Sequence, residues 1–150
     1  MERTYVMLKP DCLARKLENQ LIQEITDAGF VVVRQERKVV EQEVILNHYE
    51  AVIQKVNSES FKQSILDNFV DKEVIALEVA KDGDCVLAIR DLIGATDPSK
   101  ADKETLRGKY GEDSLEKAME QGRMLNNLVH ASDSVENAKK ELKLWFGIDQ

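Results

Sequence analysis

Asn127-Leu128-Val129-His130-Ala131-Ser132-Asp133 is the stretch on which the reading of this chain turns. The run from Leu125 to Val129 is too short for a helix and, ending on Leu128 and Val129, reads as the tail of a strand. From Ser132 onward the pattern changes: Val135, Ala138, Leu142 and Trp145 recur at spacings of three and four, the signature of one helical face. Ser132, Asp133 and Ser134 are all suited to an N-cap, and Asp133 with Glu136 has capping-box spacing. The heptapeptide is therefore a strand-turn-helix junction with one imidazole at its lip. A helix N-terminus offers unpaired N–H groups and a positive dipole end, so it suits phosphate. A histidine there, with an ordinary pKa of about 6.5, is largely neutral and nucleophilic near pH 7 and could take a phosphoryl group. The same heptapeptide is also consistent with an imidazole that only hydrogen-bonds the backbone.

Working outward, Arg3 to Leu8 reads as a strand that Pro10 interrupts. Leu13, Leu17, Leu21, Ile25 and Ala28 then share one helical face, with Gly29 as the stop. Phe30-Val31-Val32-Val33 opens a buried strand running towards Val40, and Glu41 to Val56 has a helical pattern with Val44, Tyr49, Val52 and Val56 on its buried side. A short helix over Phe61–Phe69, a strand over Glu73–Val79 and a helix over Cys85–Ile93 follow. The polar, glycine-punctuated segment from Gly94 to Arg123 is long for a loop, and Asp113–Glu120 within it predicts a helical turn or two. The order of elements predicts an α+β sandwich of the ferredoxin-like, split βαβ kind, with a four-stranded antiparallel sheet covered by helices on one face.

At 150 residues the chain is expected to form a single domain (1–150) with a core large enough to need no staples. Its 43% hydrophobic and 33% charged content excludes a disordered chain. The net charge of −7 argues against a nucleic-acid partner, which needs a basic face, and requires any phosphate site to gather its cations locally. No apolar run approaches a membrane span and no signal peptide precedes the first strand, so no membrane partner is expected and the predicted location is cytoplasmic. Cys12 and Cys85 fit no metal spacing or disulfide framework; reduced thiols are the expectation.

Four blocks in this chain carry a family resemblance. Asn127-x-x-His130-Ala131-Ser132-Asp133 resembles the active-site motif of nucleoside diphosphate kinases, and Arg3 to Asp11 resembles that family's first strand with its lysine. Gly94-Ala95-Thr96-Asp97-Pro98 with Thr105-Leu106-Arg107-Gly108 looks like its nucleotide-facing loop, and Glu141 to Phe146 its closing helix. The blocks fall in the family's order across nearly the whole chain. The resemblance implies the same ferredoxin-like fold and ping-pong phosphotransfer between nucleoside tri- and diphosphates through a phosphohistidine at His130. It implies that Glu141 orients the imidazole, as the third group of a triad does; taken alone, Glu141 between Lys140 and Lys143 reads as a solvated helix residue. Lys9, otherwise an exposed strand-end lysine, would contact the phosphoryl group and the sugar hydroxyl. Arg90 and Arg107 would hold the phosphates, where a guanidinium fork presents paired donors. Thr96 would donate to the same groups, and Asn127 to the ribose. Tyr49 would lie near Lys9, or else serve as a core ring; Ser132 would donate to the phosphoryl group, or else only cap the helix. His48 reads as a surface or helix-packing residue without chemistry. Mg²⁺ is expected to arrive on the nucleotide phosphates, with no separate protein cage, and the implied assembly is a homo-oligomer, a hexamer or tetramer.

The chain departs from the family pattern in four places. Cys12 stands where glycine follows Lys-Pro-Asp, and Arg15-Lys16-Leu17-Glu18-Asn19 lacks the usual glycines. The base-stacking phenylalanine aligns near Ser60 or Phe61 within a lengthened region and is assigned to Phe61, and the loop between Arg107 and Asn127 is enlarged. These departures leave a rival open, a nucleotide-binding regulator of the same fold with little turnover. An RNA-binding module is disfavoured by the acidic charge and the 5% aromatic content.

Overall fold

The computed structural model describes residues 1–147. Four strands, β1 (Glu2–Leu8), β2 (Val31–Val39), β3 (Glu73–Lys81) and β4 (Val129–Ala131), form one sheet in the order β2-β3-β1-β4, each neighbouring pair antiparallel. This is the expected α+β, split βαβ arrangement. The central strands are largely apolar on both sides: every residue from Thr4 to Leu8 and from Val74 to Ala80 is buried, Thr4 and the arginine-paired Glu78 being the polar exceptions. A strand with no polar face must be covered twice, so helices pack on both faces rather than on one as the sequence reading had it.

On the first face, Val6, Leu8, Ile75, Leu77, Val79 and Val129 meet Cys12 of α1 (Pro10–Ala14), Leu21 and Ile25 of α2 (Glu18–Asp27), and Cys85, Ile89 and Ile93 of α6 (Cys85–Ile93). On the second, Tyr5, Met7, Val74 and Ala76 meet Ile45 of α3 (Gln42–His48), Ile65 and Phe69 of α5 (Glu59–Phe69), and Leu142 and Trp145 of α9 (Val135–Phe146). Helix α4 (Glu50–Val56) lies outside with no buried residue.

The structure corrects several predicted boundaries. The helix read from Leu13 to Ala28 is two, broken where Lys16 takes a left-handed φ of 58°. The helix read over Glu41–Val56 also breaks, at Tyr49, which shifts the helical phase: Ile45 is buried, whereas Val52 and Val56 are exposed. Strand β2 is mostly exposed, not buried, because it is the sheet edge; Val31, Val33 and Val39 all face solvent, and a bulge falls between Val32 and Arg34. Ser58 caps α5, which starts at Glu59, two residues before the predicted start. The strand read at Leu125–Val129 lies at Val129–Ala131 instead, because Leu128 adopts a left-handed φ of 71° that no ladder accommodates. His130 is thus a strand residue, paired across from Met7.

Helix α9 is capped by Ser134, whose hydroxyl accepts from Asn137 N, so the cap is neither Ser132 nor Asp133; Val135 is exposed. The long polar segment holds a 3₁₀ turn at Pro98–Lys100, α7 (Leu106–Tyr110) and α8 (Leu115–Glu120), the last matching the expected helical turn. Cys12 and Cys85 are free and buried, and burial pushes their thiols up to about 12 and about 11.

Leu142→Ala should cost about 3 kcal/mol in urea unfolding, the usual range for a fully buried leucine, while Val52→Ala should stay within about 0.5 kcal/mol. A Val52 cost approaching that of Leu142 would restore the single unbroken helix that the structure replaces with two.

Candidate active site

β4 aims His130 onto the second face of the sheet, beside Tyr5 and Met7. Its Nε2 lies 2.7 Å from Oε1 of Glu141, which α9 brings over that face by burying Ala138, Leu142 and Trp145. The same carboxylate oxygen accepts from the Ser132 hydroxyl at 2.8 Å. Ser132 is fully buried, so its hydroxyl is spent on Glu141 and not on capping α9. A carboxylate at Nε2 fixes the neutral ring with its proton on that nitrogen and leaves a lone pair on Nδ1.

Lys9 continues the alternation of Tyr5 and Met7 onto the same face and is 3% exposed. Its Nζ donates to Asn127 Oδ1 at 2.8 Å and to Leu125 O at 3.2 Å, and lies 5.9 Å from the centre of the Phe69 ring. Burial lowers its pKa to about 8, with Arg107 adding to the fall while Asp11 and Asp113 oppose it. Asn127 is also buried, and its Nδ2 donates to Thr96 O at 3.0 Å. Its amide is thus a bridge from Lys9 to the loop after α6.

Arg107, on α7, donates from Nε to Asn127 O at 3.2 Å and from its two terminal nitrogens to Gly94 O at 3.0 Å and Val129 O at 2.5 Å. Burial, then the neighbouring Arg90, lowers its pKa to about 10. Arg90, on α6, donates to Ala131 O at 3.3 Å. Lys9, Arg90 and Arg107 therefore converge on the backbone of residues 125–131, on either side of His130. Gly94 must be glycine here: its φ is 95°, and an added Cβ would sit 2.4 Å from Thr105 Oγ1. Arg90, Thr96, Arg107, Ala131 and Gly94 line a cleft of about 250 Å³. Phe61 is not among its lining residues; it is partly buried against the second-face core.

His48 takes the helix-packing alternative of its reading, joining α3 to α9. It is not a surface residue: its Nδ1 accepts from Trp145 Nε1 at 3.0 Å, and its ring stands 4.5 Å from the His130 ring, centre to centre, at 75°. Burial holds its pKa well below 6.5, and His130 and Lys9 add to this. The adjacent Tyr49 packs on Phe69 and on His48, and burial with the Glu141 charge keeps its hydroxyl protonated. Tyr5 stacks on Trp145, and its buried hydroxyl has no hydrogen-bond partner among the described residues. His48, His130 and Glu141 bring ligand-type atoms within 4.8 Å of one another. His48 Nδ1 is committed to Trp145 and His130 Nε2 to Glu141, and the two imidazoles meet edge to face.

Sequence reasoning missed three further residues of this site. Asp11 Oδ2 accepts from Leu128 N at 3.0 Å, and Lys9 N donates to Leu128 O at 2.8 Å, which together hold Leu128 in its left-handed turn before His130. Asp113 accepts from Asn126 N at 2.9 Å. Trp145 was read as core alone. The Lys-Pro-Asp triplet was the available signal for Asp11; the other two depend on contacts that no local pattern reveals.

His48 should appear in nitrogen-resolved NMR as a neutral ring protonated at Nε2, staying neutral as pH falls below 6.5. Because the unfolded state takes up that proton and the native state does not, stability should fall with pH through this window. Trp145→Phe should release the tautomer to a mixture. A wild-type His48 titrating at its ordinary value would contradict the assignment.

Comparison with known proteins places the chain. The family model for nucleoside diphosphate kinase matches residues 2–150. The chain is 36% identical over 146 residues to the nucleoside diphosphate kinase of Methanothermobacter thermautotrophicus, covering 97% of this chain and 87% of that one. It is 35% identical over 149 residues to that of Encephalitozoon cuniculi, covering 99% and 91%. Among solved structures it is similar to a transition-state mimic of the Borrelia burgdorferi nucleoside-diphosphate kinase with bound vanadate and ADP, at a TM-score of 0.90 and 26% identity over 97% of this chain and 86% of that one. It is likewise similar to the apo Encephalitozoon cuniculi enzyme, at a TM-score of 0.82 and 34% identity over 99% and 90%. The chain belongs to the nucleoside diphosphate kinase family.

Proposed function

We propose that this phosphotransferase moves the terminal phosphoryl group of a nucleoside triphosphate to a nucleoside diphosphate through a phosphohistidine at His130. The observation that carries the reading is the 2.7 Å contact of His130 Nε2 with Glu141, which directs the free lone pair of Nδ1 away from the carboxylate. Nδ1 attacks the terminal phosphorus and the bond to the bridging oxygen breaks, releasing the diphosphate. The proton stays on Nε2, where Glu141 offsets the positive charge the ring acquires. A second nucleoside diphosphate then takes the group by the reverse path. Lys9, Arg90 and Arg107, with the Thr96 hydroxyl, neutralise charge on the phosphoryl oxygens. Two of the five N–H groups of Arg107 are not used by the carbonyls it bonds, enough for one phosphate oxygen pair. Asn127 and Lys9 would meet the ribose, and Tyr49 would support Lys9. Ser132 acts on the phosphoryl group through Glu141. Phe61 is proposed for the base, which would reach it from beyond the cleft.

Mg²⁺ enters as part of the substrate, bound to nucleotide phosphates. The cleft is lined by Arg90, Arg107 and Thr96 with a single carboxylate, Asp91, a set suited to a magnesium–nucleotide complex and too poor in anionic oxygens to cage a bare hard ion. The substrates are nucleoside di- and triphosphates. Among the described residues no helix is long and apolar enough to cross a membrane; two free thiols accord with a cytoplasmic setting. A homo-oligomer is also part of the proposal, and the exposed β2 edge, with Val31, Val33 and Val39 outward, supports it.

Incubation with labelled ATP alone should leave acid-labile phosphate on the wild-type protein, and none on His130→Ala, whose transfer activity should fall by at least about a thousandfold. Light scattering on the same sample should give a multiple of the 17.0 kDa chain. Nucleotide binding without label on wild type would contradict turnover, label on serine would contradict the nucleophile, and a monomeric mass would contradict the assembly.

A further inference from the structure

The enlarged segment between Arg107 and Asn127 leaves the cleft as an excursion through α8 and returns at Arg123. At its start, Arg15 of the α1–α2 break donates to Tyr110 O at 2.5 Å and to Glu112 at 2.8 Å, holding the departing chain. At its return, the Asp113 carboxylate takes both terminal nitrogens of Arg123, at 2.7 and 2.9 Å. The two residues stand at the two ends of the excursion, so this fork closes it upon itself. Asp113 is little exposed, and the Arg123 pair holds its carboxyl below the usual carboxylate range. A bidentate pair of this geometry is stronger and less screened than a surface ion pair.

Residues 123–127 belong to no helix or strand ladder. Yet this segment supplies both acceptors of the buried Lys9 ammonium, Leu125 O and Asn127 Oδ1, and Asn127 also reaches Thr96 O. The Asp113 oxygen facing Arg123 accepts in addition from Asn126 N, the residue between those two acceptors. One carboxylate therefore ties the mouth of the excursion to the backbone that seats the lysine.

We propose that Asp113, clamped by Arg123, is a positioning residue for Lys9, fixing the 124–127 backbone so that Leu125 and Asn127 hold the ammonium beside His130. The inference rests on the phosphotransfer reading above, in which the charged form of Lys9 is needed. The charged and titratable groups that face Lys9 are Asp11, Arg107, Asp113 and His48. Asp113 favours the ammonium and Arg107 opposes it; Arg123, paired to Asp113, offsets part of the Asp113 field.

The opposite charges at this clamp give a test that general loosening does not mimic. The rate of phosphohistidine formation from magnesium-ATP is followed across the neutral-to-alkaline range, where loss of the Lys9 proton should give the profile its alkaline limb. Asp113→Asn removes the field that favours the ammonium, so the alkaline limb should move to lower pH by about half a pH unit. Arg123→Gln leaves the Asp113 charge uncompensated, so its limb should move to higher pH. Arg123→Lys, which keeps the charge, should return the limb to the wild-type position. If Asp113→Asn does not fold, the Arg123→Gln and Arg123→Lys pair decides alone, by an upward shift in the first and its absence in the second. Limbs that stay in place in Asp113→Asn and Arg123→Gln, or move in the same direction, overturn the proposal. A wild-type protein that forms no phosphohistidine would instead overturn the phosphotransfer reading, so the two failures are distinct.

Discussion

A single carboxylate oxygen organises this molecule. Oε1 of Glu141 meets both His130 Nε2 and the Ser132 hydroxyl, and in doing so ties the outer strand β4 to the helix that covers it. Each partner depends on a different part of the fold. His130 is set by the pairing of β4 with β1, while Glu141 is set by the burial of Ala138, Leu142 and Trp145 along α9. Neither strand nor helix alone creates the contact; the sheet must carry apolar residues on both faces before α9 has a surface on which to lie. The packing of the second face is thus a direct condition of the chemistry, and Trp145 joins the two by reaching through His48 to the His130 ring.

The second constraint is electrostatic. A chain with a net charge of −7 has to assemble a cationic site against its own field. It does so by burying Lys9 and Arg107 and satisfying them with backbone carbonyls of residues 94 and 125–129, groups that carry no charge and so leave the cations available to a phosphate. The arrangement costs strain. Leu128 sits in a left-handed conformation that a leucine adopts at a cost of about 1–3 kcal/mol, and Lys9 N and Asp11 hold it there. Asp11 and Asp113 approach the 126–128 backbone from separate segments, so two carboxylates hold the part of the site that lies outside regular secondary structure.

Much of this is legible in the sequence. The strand-turn-helix junction at His130, the helix over Cys85–Ile93 and the order of elements follow from periodicity, and the helical turn in the enlarged loop follows from composition. The residues that meet around His130 were named through motif resemblance, because the distance in sequence between Lys9, Arg90 and Arg107 hides their convergence from any local pattern. What failed did so for tertiary reasons. β2 has the apolar spelling of a buried strand but is the sheet edge, where nothing covers its valines. The breaks at Lys16 and Tyr49 are backbone turns inside otherwise periodic helical runs, and the shift at Tyr49 exposes Val52 and Val56. His48 looked inert because its partner is Trp145, almost a hundred residues away in the chain.

The contact of Glu141 with Nε2 makes a commitment about which nitrogen reacts. Phosphorus NMR on the intact phosphorylated protein, with nitrogen labelling of histidine, reads the position of the phosphoryl group directly. The account predicts a bond to Nδ1 of His130, with the proton retained on Nε2. A phosphoryl group on Nε2 would contradict it, because that nitrogen could not then remain hydrogen-bonded to Glu141.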